Sequence, residues 1–115
     1  IPLIKTGPLN DEKYFLYLED LDYSLRAKKK GYDILFVPES VIWHKNASSS
    51  NGAGSRVSVY YQNRNRLLFA FKFGSWKNKL TAIRLLFSFI KSNNKTVRQA
   101  AVDFLFRKFG KQIIV

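Results

Sequence analysis

The apolar side chains in the second half of the chain recur at a helical spacing, and this pattern restricts the fold more than any other feature of the sequence. Trp76, Leu80, Ile83, Phe87 and Ile90 follow one another at intervals of four, three, four and three residues. Residues at this spacing share one face of an α-helix. The pattern therefore predicts a helix with an apolar stripe along one side.

Helices are also predicted on either side of this one. The first covers Val57 to Phe73 and is followed by the helix-breaking pair Gly74-Ser75. The last covers Thr96 to Phe109, after the break at Ser92-Asn93-Asn94, and Gly110 ends it. The sequence from residue 57 onward therefore predicts a mostly α-helical region.

An earlier helix is predicted from Glu19 to Lys30. Acids occupy its first turn and lysines its last turn, and in these places their charges interact favourably with the helix dipole. Gly31 suits the left-handed position that follows a helix end. Asp22 and Arg26 are four residues apart and are expected to pair. The buried stripe of this helix is expected to consist of three leucines, Leu18, Leu21 and Leu25.

Two short apolar runs favour β-structure. The runs are Ile34 to Val37, which ends at Pro38, and Val41 to His44. Continuous apolar runs of this length are typical of buried strands. Residues 47–55 are small, polar and glycine-containing, which predicts a mobile loop.

The charge of the chain is unevenly distributed. The formal net charge is +12, from 20 Lys and Arg against 8 Asp and Glu. Residues 1–45 carry equal numbers of both signs, whereas residues 46–115 carry thirteen bases and one acid, Asp103. This asymmetry indicates a neutral folded segment followed by one that contacts an anionic surface. A nucleic-acid-binding module and a helical adaptor for a protein partner are alternative interpretations of the basic segment.

Composition excludes several classes of protein. The chain has no Cys, so a disulfide framework, a thiolate metal site and a Cys nucleophile are all ruled out. Its hydrophobic content of 46% and aromatic content of 16% are too high for a disordered polycationic tail. The longest unbroken apolar stretch, Leu67 to Phe71, is far shorter than the roughly 20 residues that span a bilayer.

The acidic cluster Glu19-Asp20-Leu21-Asp22 is the most chemically suggestive feature. Neighbouring carboxylates repel one another, which raises a pKa and suits a general base. A helix N-terminus has the opposite effect, because it favours the ionised form. On composition alone, a solvated first turn that satisfies the helix dipole is the favoured explanation of the cluster.

The order of the motifs around the acidic cluster bears on whether the cluster has a chemical role. An aromatic-rich stretch leads into the acidic cluster, and the later motifs are Arg26, Gly31-Tyr32, Val37-Pro38, His44 and Tyr60-Tyr61-Gln62-Asn63-Arg64-Asn65. This order resembles the C-terminal half of the catalytic domain of family 2 glycosyltransferases, which are inverting enzymes with the GT-A fold. The rhamnosyltransferase-like members are the most similar. The resemblance covers about residues 1–73.

The resemblance implies a catalytic role for the Glu-Asp pair. Asp20 would be the general base that takes the proton from the acceptor hydroxyl, since a carboxylate accepts a proton within hydrogen-bond reach. Glu19 would orient Asp20 or the acceptor. Asp22 and Arg26 would hold the helix in place.

The resemblance also implies binding residues and a cofactor. Arg64 and Tyr61 would bind substrate, although Arg64 near an apolar helix face could instead only snorkel to solvent. His44 would lie near the nucleotide diphosphate and a divalent metal, Mg²⁺ or Mn²⁺, because neutral imidazole is a common metal ligand. The alternative for His44 is a strand-end histidine with a structural hydrogen bond.

The implied fold class is α/β. Residues 1–45 would be the C-terminal portion of a GT-A domain, with one helix and short strands, residues 46–58 a mobile loop, and residues 59–115 a helical basic extension. No Asp-x-Asp metal motif precedes the cluster, and the chain contains no Met. The chain is therefore expected to be a C-terminal fragment that is inactive alone. The Gln-x-x-Arg-Trp motif of processive relatives is not matched, which favours transfer of a single sugar.

The expected partners follow from the same resemblance. They are a nucleotide-diphosphate sugar and a saccharide or lipid-linked saccharide acceptor of bacterial surface polysaccharide, with no nucleic acid. Basic helices with aromatic apolar faces suit anionic membrane surfaces, which predicts a peripheral protein on the cytoplasmic face of the inner membrane. The alternative is that these apolar faces pack on the catalytic domain and leave the lysines in solvent.

Overall fold

The computed structural model describes residues 11–35, 37–41, 43 and 54–114. These residues form four α-helices, which are α1 (Glu19–Lys29), α2 (Arg56–Phe73), α3 (Trp76–Ile90) and α4 (Lys95–Leu105). Helix α2 packs against both α3 and α4, and α3 packs against α4. All four predicted helices are confirmed, although α4 ends four residues earlier than predicted. None of the helices in the described ranges is long and apolar enough to cross a membrane.

The prediction of an α/β fold class is wrong. The described residues contain helices and no strand or sheet. In the two runs predicted as strands, Ile34, Leu35, Val37 and Val41 are exposed and lack regular structure. A strand needs a neighbouring strand to satisfy its N–H and C=O groups, and no described segment pairs in this way with either run. The predicted loop falls mostly outside the described residues.

The end of α1 confirms the conformation predicted for Gly31. Its φ angle is 92°, in the left-handed region. The N–H groups of Gly31 and Tyr32 donate to the carbonyls of Lys28 and Ala27, at 3.0 and 3.1 Å. This pair of bonds is a Schellman motif, which satisfies carbonyls that a helix end otherwise leaves without partners.

Helix α1 does not bury the leucine stripe that its sequence predicted. Leu21 is 49% exposed, whereas its neighbour Asp22 is fully buried together with Ala27. The cause is polar, because Tyr14 and Lys72 both bind the Asp22 carboxylate and draw that side of α1 inward. The contacts that fix α1 are therefore hydrogen bonds and ion pairs rather than leucine packing.

Side-chain caps mark where the three later helices begin. The Ser55 hydroxyl accepts a hydrogen bond from the Ser58 N–H at 3.2 Å, and the Ser75 hydroxyl accepts one from the Asn78 N–H at 3.4 Å. The Asn94 side chain accepts from the Thr96 N–H at 2.9 Å. Such caps satisfy N–H groups that have no partner within the helix.

The main core lies where α2, α3 and α4 meet. Its buried residues are Leu67 of α2, Ala82 and Leu86 of α3, and Ala101 of α4. A second buried cluster joins Tyr60 and Tyr61 to Ala100. Small alanines at these positions let the three helix axes approach closely, so a short chain still forms a packed interior.

Four of the five residues in the predicted apolar stripe of α3 face solvent, whereas the fifth, Ile90, is half-buried and packs against the core. Trp76, Leu80, Ile83 and Phe87 are all exposed, and α3 packs on its neighbours through the Ala82 and Leu86 side instead. Both sides of α3 are apolar, so periodicity alone does not determine which one the core takes.

Candidate functional site

A strained turn leads directly into the Glu-Asp pair. Phe15, Tyr17 and Leu18 have φ angles of 61°, 69° and 67°, in the left-handed region that bulky residues rarely adopt. Each such residue costs of the order of 1–3 kcal/mol and persists only where its surroundings hold it. Strain of this kind is concentrated at functional sites, so the turn directs attention to Glu19 at the start of α1.

The amide of Asn65 holds this turn from α2. Its Nδ2 group donates to the carbonyl of Tyr14 at 2.8 Å, to that of Leu16, and to that of Tyr17 at 3.2 Å. Asn65 is fully buried. The two N–H groups of one side-chain amide are therefore shared among three carbonyls of a backbone that has no helix or sheet to satisfy it.

Arg64 holds the same turn and also the segment that follows α4. Its Nη2 donates to the carbonyls of Lys13 and Tyr14 at 2.8 and 3.0 Å. Its Nη1 donates to those of Lys108 and Gly110 at 3.3 and 2.7 Å, and its Nε donates to the Asn65 side chain at 3.1 Å.

The guanidinium of Arg64 is consequently saturated. A guanidinium has five N–H donors, and all five are used by the bonds above. The side chain is fully buried, and the rings of Tyr60, Tyr61 and Phe109 lie within 5.9 Å of its Cζ atom. A substrate contact by Arg64, as the sequence predicts, would require some of these bonds to break.

Asp22 is the centre of a second buried polar cluster. Its Oδ2 accepts from the Tyr14 hydroxyl at 2.8 Å and from Lys72 Nζ at 2.6 Å, while its Oδ1 accepts from Arg26 Nε at 2.6 Å. Lys72 also binds Asp11 at 2.9 Å. The ion pair expected between Asp22 and Arg26 is present, and it belongs to a larger network that ties α1 to α2.

The network changes the pKa values of its members. Burial acts to raise the pKa of Asp11, but hydrogen bonds from Lys13 and Lys72 together with their charges outweigh it and hold that pKa below the ordinary value. Burial lowers the pKa of Lys72 less than the two aspartates raise it. Burial and the hydrogen bond to Asp22 raise the pKa of Tyr14, so its hydroxyl stays protonated and donates.

A cleft opens beside the strained turn. It has a volume of about 520 Å³ and is lined by Asp11, Glu12, Phe15, Glu19, Gly110 and Lys111. The Glu19 side chain contributes to this lining, although its Oε2 atom is itself buried and has no hydrogen-bond partner among the described residues. Lys111 Nζ lies 5.8 Å from the centre of the Phe15 ring, which joins the two walls. The cleft therefore offers acceptor oxygens, one cation and an aromatic edge, which suits a polyhydroxylated ligand.

Only one residue of the predicted catalytic pair lines this cleft. Glu19 is half-buried and lines it, whereas Asp20 is exposed and its Oδ1 accepts from the Leu21 N–H at 2.9 Å. Tyr61 is buried, and its hydroxyl exchanges hydrogen bonds with the backbone of Gln112 at 3.0 and 3.3 Å. The structure thus brings Glu19 to a cavity and places Tyr61 and Arg64 in the supporting framework.

The metal predicted from the resemblance has no ligand set in the described ranges. No three His, Asp or Glu side chains converge there as a metal site requires. His44, the predicted ligand, lies outside the described residues. The carboxylates of the cleft therefore do not by themselves form a divalent-metal site among the described residues.

Several supporting residues were missed by sequence reasoning. Asn65, Tyr14 and Lys72 carry the contacts that position α1, yet each resembles an ordinary helical or loop residue in the sequence. The available signal was the adjacent pair Arg64 and Asn65 on the face of α2 that also carries Tyr60, Tyr61 and Leu67, because polar side chains on a buried face need partners.

Comparisons with known proteins agree with a transferase relationship. Two proteins of Mycobacterium tuberculosis, from the strains CDC 1551 / Oshkosh and ATCC 25618 / H37Rv, are each 31% identical to this chain over 71 residues. Both are named N-acetylglucosaminyl-diphospho-decaprenol L-rhamnosyltransferase.

No protein-family model and no solved structure matches the chain. The match covers 61% of this chain and 23% of each relative, so the chain spans less than a quarter of their length. The chain is distantly and partially related to a glycosyltransferase.

Proposed function

We propose that this chain is part of an inverting glycosyltransferase that adds one sugar to a lipid-linked saccharide of the bacterial cell envelope. The observation that carries the proposal is the partial similarity to two rhamnosyltransferases whose named acceptor is a diphospho-decaprenol saccharide. The Glu-Asp pair beside a strained turn and a polar cleft supports it.

In the proposed reaction, an acceptor hydroxyl oxygen attacks the anomeric carbon of a nucleotide-diphosphate sugar. The new C–O bond forms on the face opposite the nucleotide, the bond to the diphosphate oxygen breaks, and the nucleoside diphosphate leaves with that electron pair. Asp20 takes the proton of the attacking hydroxyl, since an exposed carboxylate next to Glu19 in the chain is able to accept it.

Glu19 has a distinct part in this proposal. The Glu19 side chain lines the cleft, so an acceptor hydroxyl bound there is a natural donor to its carboxylate. Glu19 would therefore orient the acceptor while Asp20 removes the proton.

Two further predictions belong to the same proposal. A divalent metal, Mg²⁺ or Mn²⁺, when bound with the donor, would supply charge neutralisation at the leaving diphosphate. His44 is the candidate ligand in this chain. A peripheral position on the cytoplasmic face of the inner membrane would bring the site to a lipid-linked acceptor.

The test compares two substitutions in the longer enzyme expected to contain this chain. We expect Asp20→Asn to lower the rate constant for transfer of a labelled sugar by about 10²- to 10⁴-fold with little change in the acceptor KM, as for loss of a general base. We expect Glu19→Gln to raise the acceptor KM more than it lowers the rate constant. Circular dichroism checks that both variants are folded. Wild-type transfer by a folded Asp20→Asn enzyme would refute the base assignment.

A further inference from the structure

Helix α3 carries an apolar face that no described element covers. We call it the outer α3 face and define it as Trp76, Leu80, Ile83 and Phe87, which are 68%, 48%, 37% and 58% exposed. The opposite side of the same helix forms the core through Ala82 and Leu86. The exposed residues run along three turns and include two large aromatic rings, so their exposure to water is costly.

Cations border the outer α3 face along its length. Lys77, Arg84 and Lys91 are seven residues apart, and at about 100° per residue they form one row parallel to the apolar stripe. Lys79 falls on the other side of the stripe. These four side chains are exposed, and Lys77 Nζ lies 5.6 Å from the centre of the Trp76 ring. The helix thus presents an apolar stripe between cationic borders.

None of the acids in the described ranges forms an ion pair with these cations. Asp103 is the single acid in residues 54–114, and it is buried, where its Oδ2 accepts a hydrogen bond from the Tyr60 hydroxyl at 2.5 Å. The cations beside the outer α3 face therefore have no carboxylate on α2, α3 or α4 to pair with at the surface. Their positive electrostatic potential therefore acts on any molecule that lies against this helix.

We infer that the outer α3 face binds the surface of an anionic lipid bilayer, with its apolar residues between the acyl chains and its cations among the headgroups. An amphipathic helix with a cationic border and large apolar side chains lies in the plane of such an interface. Trp76, which has an apolar ring and an N–H donor, suits the boundary between headgroups and acyl chains.

Charge complementarity selects this occupant over two others. A second copy of the chain would oppose the same rows of Lys and Arg, and like charges facing one another disfavour association. A nucleic acid would satisfy the cations but would leave the apolar stripe against a hydrophilic backbone. An anionic bilayer satisfies both the stripe and its borders.

The inference rests on the peripheral membrane position in the proposed function and names the surface responsible for it, but binding of lipid by α3 requires neither a donor sugar nor catalysis. It is measured with the chain alone, and loss of transferase activity would leave the result unaffected. Success or failure of the two proposals is therefore separable.

The test uses residues 1–115 carrying Trp43→Phe, so that Trp76 is the single tryptophan. The probe is vesicles of equal amounts of phosphatidylglycerol and phosphatidylcholine, with vesicles of phosphatidylcholine alone for comparison. We expect the Trp76 emission to shift to shorter wavelength with the anionic vesicles and to be quenched by bromine on their acyl chains. Binding should weaken as salt screens the cations.

Matched variants separate the two components of the surface. Ile83→Ser with Phe87→Ser should weaken vesicle binding by more than about tenfold, because apolar burial is lost. Lys77→Gln, Arg84→Gln and Lys91→Gln should each weaken it by about fivefold, the effect expected for one cation near an anionic surface. The controls are Phe106→Ser, an exposed apolar residue at the end of α4, and Lys28→Gln on α1.

Three outcomes would overturn the inference. The first is binding to anionic vesicles with unchanged and unquenched Trp76 emission. The second is equal loss of binding in the control variants, which would mean that the net positive charge of the chain attracts the vesicles and that no particular face is required. The third is a dimer in sedimentation experiments without lipid that Ile83→Ser with Phe87→Ser converts to monomer, which would assign the face to a second copy.

Discussion

At the scale of single residues, the burial of Asp22 is the feature with the clearest energetic consequence. Its carboxylate has no exposed surface and accepts hydrogen bonds from Tyr14, Arg26 and Lys72. Removing one charge from a buried network leaves its partners uncompensated. Asp22 therefore acts as the structural acid of the Glu19-Asp20-Leu21-Asp22 cluster, whereas the roles of Glu19 and Asp20 in catalysis belong to the proposed function.

The Asp22→Asn substitution tests this division. We expect it to lower the free energy of unfolding by about 2–4 kcal/mol, somewhat less than loss of a fully buried pair because Lys72 and Arg26 are partly exposed. Urea denaturation followed by circular dichroism measures the change. The matched control is Asp20→Asn on the exposed side of the same turn, which should alter stability by less than about 0.5 kcal/mol. Equal effects of the two substitutions would contradict the division.

At the scale of the helix, the Schellman motif of α1 depends on one glycine. Gly31→Ala places a side chain at a φ of 92°, and nothing within 4 Å of the new Cβ would obstruct it, so the cost is conformational rather than steric. We expect a loss of about 1–2 kcal/mol in the free energy of unfolding. Gly31→Asn is the control, because asparagine tolerates the left-handed region and should lose less than half as much. A larger loss for Asn than for Ala would be inconsistent with this account.

The helices were predictable because their ends and stripes are local signals, as for Gly31 after α1 and the Gly74-Ser75 break before α3. The prediction of strands at residues 34–37 and 41–44 was wrong for the residues of these runs that the structure describes. A short apolar run indicates that a segment favours burial, but it does not indicate whether a neighbouring strand is present to pair with it. The inward side of α3 was also beyond prediction. Leu85, Leu86 and Phe89 are as apolar as the outer α3 face, so tertiary packing decides between them.

Part of the site could be predicted and part could not. The acidic cluster that supplies Glu19 to the cleft is visible in the sequence as a concentration of carboxylates. The contacts of Arg64 are not, because its acceptors are backbone carbonyls and these are chemically identical at every residue. Only the fold determines which carbonyls approach α2.

At the scale of the whole molecule, Arg64 connects segments that are far apart along the chain. It binds carbonyls of Lys13 and Tyr14 on one side, and of Lys108 and Gly110 on the other. The Gly110 N–H also donates to the Lys13 carbonyl at 2.7 Å. These bonds make the turn before α1 and the segment after α4 parts of one unit with α2.

The Arg64→Lys substitution should loosen both segments together. Lysine keeps the charge but has three donors in place of five, so buried carbonyls lose their partners. We expect a loss of about 2–4 kcal/mol in the free energy of unfolding. Hydrogen exchange should accelerate at the Tyr14, Gly110 and Gln112 amides in the same variant. The control is Arg66→Lys, an exposed position two residues away, which should leave exchange unchanged. Acceleration at only one of the two segments would contradict the connecting role.

The position of Arg64 also has a consequence for the order of events during synthesis. Lys13 and Tyr14 leave the ribosome about fifty residues before it, but Lys108 and Gly110 are made more than forty residues after it. Until those later carbonyls have emerged, two of the five guanidinium bonds have no acceptor, and water is the better environment for the side chain. The strained backbone at Phe15 to Leu18 therefore acquires its full support only after Gly110 has been translated, about ninety residues after the Glu-Asp pair itself.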